Sequence, residues 1–212
     1  MTLVAYTKIR PYADTEELWT RAKNAFPHNE NDEYFCSIKS RKNQDSIKES
    51  LCALLVLAEL LKNANFKSES LIFARQESGK PYFSNSKIEF SLSHSGEYSV
   101  AAICDNSGIG IDIETSEISN EKAEKLAKRF FSEAEIKEVQ TTPESFLMIW
   151  TKKEAFAKMH GIPLSNLIAN EKRSPLKTRE NVFFEVFKID NNPLAVCLDN
   201  PCEIKNLGEI TI

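Results

Sequence analysis

The chain has 212 residues and a mass of 24.1 kDa, which suits one large domain or two small ones. Hydrophobic residues make up 42% and charged residues 27%, close to the globular average, and this excludes wholesale disorder. A formal net charge of −4 with a pI near 5.6 excludes a surface that grips nucleic acid over its whole extent, so no nucleic-acid partner is expected.

The opening residues MTLVAYTKIR lack a basic segment followed by a long apolar core, so no secretory leader is expected. The longest apolar run, residues 51–61, is interrupted by Glu59 and falls short of the roughly 20 residues that span a bilayer, so no membrane segment is expected either. The five cysteines are odd in number and none forms a C-x-x-C pair, which predicts reduced thiols and a cytoplasmic location. His28, His94 and His160 are not spaced to complete a zinc site with them.

In chain order, residues 3–9 alternate as a strand does. Asp14 then opens a short helix carrying Leu18, Ala22 and Ala25, with Glu16 and Glu17 in its first turn. A basic stretch, Lys39, Arg41 and Lys42, precedes a helix predicted over residues 46–63, whose apolar face is Leu51, Leu54, Leu55, Ala58 and Leu61. Strands follow at 71–74, 88–92 and 98–104, then a turn cluster at 105–108 and a strand over 109–114. The second half reads as helices over 120–130, 133–140 and 143–160, the last stopped by Gly161. Residues 165–179 read as a polar connection, and strands near 182–189, 194–198 and 209–212 close the chain. The class is α+β, with an N-terminal subdomain over 1–106 and a C-terminal one over 107–212.

Three segments can carry chemistry. In the strand GIGIDIE, a period of two points Asp112 and Glu114 to one face, about 7 Å apart along the chain, while Ile109, Ile111 and Ile113 face a core. Two acids on one face repel unless a cation lies between them, and a hard ion with oxygen ligands, Mg²⁺ foremost, suits them; a solvated strand end is the plain alternative. In WTKKEAFAK, Glu154 and Lys158 are four residues apart on one helical face with Trp150, as a third acid and a cation or as an ordinary surface ion pair. In FSLSHSGEY, Ser93 and His94 end an apolar strand, placed to donate to an anion or to cap a turn; as strand neighbours they point apart and make a poor nucleophile–base pair. Upstream, SGKPYF puts Lys80 in a turn, reaching phosphate or solvated.

Taken together and in order, SGKPYF, FSLSHS, GIGIDIE, RFFSEAE and WTKKEAFAK resemble the 4′-phosphopantetheinyl transferase superfamily, in its monomeric, double-length, surfactin-synthetase-activator type. The matching span runs over about residues 78–161. The resemblance implies two pseudo-twofold-related α+β subdomains with coenzyme A in the cleft between them. It implies Mg²⁺ bound by Asp112, Glu114 and Glu154, with Lys158 on phosphate and Lys80, Ser93 and His94 around the nucleotide and phosphates of coenzyme A. Glu135 matches a further family acid near the metal. The implied activity is transfer of the 4′-phosphopantetheine arm to a serine of an apo acyl or peptidyl carrier protein, with adenosine 3′,5′-bisphosphate released and Glu154 as base, directly or through a water.

Where the family carries Arg or Lys before a small residue at the start of its long helix, this chain has Glu49 before Ser50; Lys39, Arg41 and Lys42 could substitute. Carrier docking is expected on Lys122, Lys125, Lys128 and Arg129. Two rivals stay open: another Mg²⁺-dependent enzyme acting on a diphosphate, and a non-catalytic module that binds coenzyme A or a carrier.

Overall fold

The computed structural model describes residues 1–10, 14–115, 117–171 and 182–212. It opens with strand β1 (Thr2–Lys8), helix α1 (Thr15–Ala25), helix α2 (Glu33–Lys39) and the long helix α3 (Gln44–Asn63). A short hairpin of β2 (Phe73–Arg75) and β3 (Pro81–Phe83) leads into β4 (Glu89–Ser95), β5 (Tyr98–Cys104) and β6 (Ile109–Ile113). Three helices follow, α4 (Asn120–Phe130), α5 (Glu133–Thr141) and α6 (Ser145–His160), then α7 (Leu164–Glu171) and strands β7 (Phe183–Ile189), β8 (Asn192–Leu198) and β9 (Ile204–Glu209). The α+β class stands.

One sheet has the order β4-β5-β1-β9 and a second the order β6-β8-β7. Period-two alternation decides how they stack. On β1, Leu3 and Ala5 face α3, together with Ala101 and Ile103 of β5, while Val4 and Tyr6 face the other way. That other face packs on the second sheet through Val100, Ala102, Ile109, Ile111 and Val196. Alternate residues of β8, Ala195 and Cys197, turn outward onto α6. The result is four layers, helix, sheet, sheet and helix, each apolar face covered by the next. The phenylalanine supply is concentrated under α3, where Phe73 lies 5.0 Å from Phe26 and 4.9 Å from Phe83, ring centre to ring centre.

Local chemistry explains most element ends. Asn43 caps α3, its side chain accepting from Asp45 N and Ser46 N, so the helix starts two residues before the expected residue 46. Asp14 caps α1 in the same way. Gly161 ends α6 in the left-handed region at φ 61°, a conformation a side chain resists.

The structure corrects several expectations. The strand expected at 71–74 pairs as Phe73–Arg75, and three elements are new: α2, with seven residues too short to display a helical period, three-residue β3, and α7. The stretch 165–179 is thus helical in its first part, and residues 172–179 lie outside the described ones. The last strand is 204–209 instead of 209–212, and it pairs parallel to β1. The strand β9, although it lies in the C-terminal half of the chain, completes the sheet of β4, β5 and β1.

Candidate active site

A cavity of about 630 Å³ opens between the two halves. Its N-terminal side carries Arg41, Ser50, Ser93 and His94, and its C-terminal side Asp112, Glu114, Glu154 and Lys158. Gly110 is what lets the second group assemble. A Cβ at this position would lie 1.9 Å from the carbonyl oxygen of Ala155, so only glycine allows α6 to rest directly on β6. That approach sets Glu154 and Lys158, on either side of Ala155, beside Asp112.

Asp112 is 2% exposed. Its Oδ1 accepts from Lys158 Nζ at 2.7 Å and from Ser93 Oγ at 2.8 Å, and Lys158 Nζ also donates to Ser93 Oγ at 2.7 Å. The other oxygen, Oδ2, is buried with no hydrogen-bond partner among the described residues. One ligand oxygen from each of Asp112, Glu114 and Glu154 lies within 4.8 Å of the others. Burial, reinforced by Asp112, pushes the Glu154 carboxyl up to about 7, against the pull of Lys158. Burial and Asp112 also raise Glu114. The indole of Trp150 lies near both glutamates and works in the opposite direction.

This arrangement fits a hard divalent cation. Three carboxylates converge, one offers a buried oxygen that no protein donor satisfies, and their mutual repulsion is only partly relieved by Lys158. Such an acidic, all-oxygen set suits a hard cation, and among the described residues no second group of three or more ligand side chains converges in this way.

On the opposite wall, Arg41 reaches back from the turn after α2 and donates from Nη1 to Ser46 O, Ser46 Oγ and Ser50 Oγ. Of the basic stretch it alone lines the cavity; Lys39 and Lys42 are exposed outside it. Glu49 turns its carboxylate to His94, Oε2 to Nδ1 at 3.1 Å. Burial, Lys158 and Arg41 hold the His94 imidazole down to about 4, so the ring is neutral at pH 7.

Two expected site residues are engaged elsewhere. Lys80 borders the cavity, but its ammonium faces the carbonyls of Met159 at 3.1 Å and Ile109 at 3.3 Å. Glu135 is outside the carboxylate cluster. It closes a capping box with Ser132 at the start of α5 and pairs with the wholly buried Lys153 at 3.0 Å. Lys122, Lys125, Lys128 and Arg129 are all exposed on α4, whose Ala123 and Ala127 turn inward, so the docking candidates do share the solvent side.

Some of the site escaped sequence reasoning. Trp150 carries two local signals for a place beside the acids, its N–H and its four-residue spacing from Glu154. Arg75 and Tyr34 also line the cavity: Arg75 donates to Ser37 Oγ at 2.6 Å, and its guanidinium lies 5.4 Å from the Tyr34 ring centre. Nothing local marks them, because the short α2 brings Tyr34 to the site.

Comparison with known proteins agrees with this picture. A family model described as the 4′-phosphopantetheinyl transferase superfamily matches residues 108–199, and one described as 4′-phosphopantetheinyl transferase, N-terminal, matches residues 11–106. The 4′-phosphopantetheinyl transferase gsp of Aneurinibacillus migulanus is 32% identical over 166 residues, covering 68% of each chain. A putative 4′-phosphopantetheinyl transferase of Haemophilus influenzae is 38% identical over 128 residues, 54% of this chain and 53% of that one. The 4′-phosphopantetheinyl transferase Sfp of Bacillus subtilis is 34% identical over 129 residues, 58% of this chain and 55% of its own. The matched region thus spans between about half and two thirds of these relatives' lengths. The chain belongs to the 4′-phosphopantetheinyl transferase superfamily, a family of enzymes, and within it resembles the Sfp-like type.

Proposed function

We propose that the protein transfers the 4′-phosphopantetheine arm of coenzyme A to a serine of an apo acyl or peptidyl carrier protein, with Mg²⁺ as its metal. The observation that supports this reading most is the convergence of Asp112, Glu114, Glu154 and Lys158 at one end of a cavity, in a member of this family. Coenzyme A carries a pyrophosphate and a separate 3′-phosphate, and the cavity carries charged groups at two places, the acid–Lys158 end and the Arg41–Arg75 end.

Asp112, Glu114 and Glu154 would hold the magnesium ion, which would supply positive charge to offset that of the pyrophosphate. Lys158 and the donors around it hold phosphate oxygens as charge moves onto the leaving group. Ser93 and His94 line the same wall; the neutral imidazole spends its one N–H on Glu49, so its part is to shape that wall. The serine oxygen forms its bond to the phosphorus that bears the pantetheine arm, the phosphoanhydride bond breaks, and adenosine 3′,5′-bisphosphate leaves with the electron pair. The serine proton goes to Glu154, directly or through a water. Arg41, with Ser50 beneath it, and Arg75 take the 3′-phosphate end, in place of the basic residue that Glu49 replaces. The exposed Lys122, Lys125, Lys128 and Arg129 face an acidic carrier, and the protein works as a cytoplasmic monomer on these two substrates.

The test is to incubate the protein with coenzyme A, Mg²⁺ and a panel of apo-carrier proteins and to weigh the carriers. A mass gain of one phosphopantetheine supports the reading. Hydrolysis of coenzyme A with no carrier gain points instead to another diphosphate-cleaving enzyme, and binding without turnover to a non-catalytic module.

A further inference from the structure

Lys80 is the one cation of the GKP turn, and its placement gives it a different task from holding phosphate. Its side chain is 9% exposed. An ammonium has three N–H donors, and three protein acceptors surround this one: Met159 O at 3.1 Å, Ile109 O at 3.3 Å and Glu89 Oε2 at 3.5 Å. The turn that presents it is itself fixed, with Gly79 N donating to Gln76 O and Gln76 N to Lys80 O.

The two carbonyls belong to the two elements that build the acid cluster. Ile109 opens β6, three and five residues before Asp112 and Glu114. Met159 lies in the last turn of α6, one residue after Lys158, where helix carbonyls lack internal partners and a cation is favoured. The turn is seated tightly on that helix end: a Cβ at Gly161 would come within 2.8 Å of both Gln76 Oε1 and Ser78 Oγ. Gly110 lets α6 and β6 touch, but a van der Waals contact alone does not fix how one slides along the other. A charge shared between one carbonyl of each does.

We infer that Lys80 is a positioning residue: it pins the end of α6 to the start of β6, and so sets the spacing of Glu154 against Asp112 and Glu114. The inference rests on the proposed function only for what the cluster is for; the pinning is a matter of metal geometry. Lys80 then has no donor left for a phosphate, and its loss acts on the metal before it acts on coenzyme A.

The experiment measures Mn²⁺ binding by electron paramagnetic resonance, without coenzyme A, in the full chain and in Lys80→Met and Lys80→Arg. Met keeps the apolar stem and drops the charge; Arg keeps the charge in a planar fork too wide for a slot between two carbonyls. The expected result is that both variants bind Mn²⁺ about tenfold more weakly, the range found when groups that support metal ligands are removed. In the transfer assay the half-saturating metal concentration rises in step, while KM for coenzyme A at saturating metal stays that of the parent. Unchanged Mn²⁺ binding, or a raised KM for coenzyme A that Arg restores, overturns the inference in favour of a phosphate contact. If Lys80→Met fails to fold, Lys80→Arg carries the same two readouts. Should no carrier be modified by the parent protein, the proposed function fails while the Mn²⁺ comparison still decides the role of Lys80.

Discussion

The ammonium of Lys158 stands 2.7 Å from Asp112 Oδ1 and 2.7 Å from Ser93 Oγ, so one charge joins helix α6 to strand β6 and to strand β4 of the other sheet. Lys158 is therefore both an internal counter-charge and the cation facing the cavity. Replacing it by Met removes the only ammonium in contact with Asp112 among the described residues. Turnover is expected to fall by about a hundredfold or more, the scale of losing one donor aimed at developing charge. The metal-free variant is expected to melt at a lower temperature than the parent, and Mg²⁺ to recover part of the difference. Kinetics with a carrier substrate and thermal unfolding with and without Mg²⁺ check both statements.

The pH dependence follows from Glu154. Its carboxyl is raised from 4.5 to about 7, chiefly by burial and Asp112. Between those values the folded protein holds a proton that the unfolded chain has released, so the metal-free protein loses stability as pH rises through this window. Metal and proton compete for the same oxygens, so divalent-cation affinity is expected to increase from pH 5.5 to 7.5 and then level off. Calorimetric titration with Mg²⁺ at several pH values tests it, and Glu154→Gln is expected to flatten the dependence.

The pair Glu135–Lys153 supplies a stability test remote from the metal. Lys153 is 0% exposed, 3.0 Å from the Glu135 carboxylate and 5.0 Å from the centre of the Phe131 ring. Lys153→Met strands a buried carboxylate and is expected to cost about 3–5 kcal/mol. Glu135→Gln retains a capping-box side chain and an amide oxygen facing the ammonium but removes the carboxylate charge, and is expected to cost less than Lys153→Met. Converting both to Met removes both charges of the pair and is expected to cost less than Lys153→Met alone, which leaves the buried carboxylate without its ammonium. Denaturant unfolding of the three variants measures this.

How much of this could be read without coordinates depended on the range of the interaction. Asp112 and Glu114 share a strand face and Glu154 and Lys158 a helix face, so each pair is visible as a local period. Asp14 and Gly161 announce helix ends by local chemistry. The meeting of the pairs is a tertiary event, and so is the parallel addition of β9 to β1, which no hairpin signal marks. Lys80 and Glu135 show the limit most clearly. Both lie where the family resemblance expects a ligand contact, and both charges are engaged by protein partners that lie far away in sequence or inside another helix. Arg41 could be proposed from its charge, but only its tertiary placement in the cavity wall, bonded to Ser46 and Ser50, distinguishes it from Lys39 and Lys42.

Gly110 joins fold and site in one atom's space. Its missing Cβ would sit 1.9 Å from Ala155 O and 2.6 Å from Met159 N, and both are backbone atoms of α6 that cannot rotate away. Gly110→Ala must therefore push α6 off β6, and with it Glu154 and Lys158 away from Asp112. Overpacking of this kind is expected to cost about 3 kcal/mol of stability. The displacement also opens the acid cluster, so Mn²⁺ binding is expected to weaken even at temperatures where the variant is fully folded. A conservative change elsewhere in the same strand, Ile113→Val, removes one methylene without touching α6 and is expected to cost about 1 kcal/mol while leaving Mn²⁺ binding intact. Parallel measurement of unfolding and Mn²⁺ affinity in the two variants separates a helix displaced from the site from a strand merely destabilised; equal metal affinity in both would refute the role given to the Gly110–Ala155 contact.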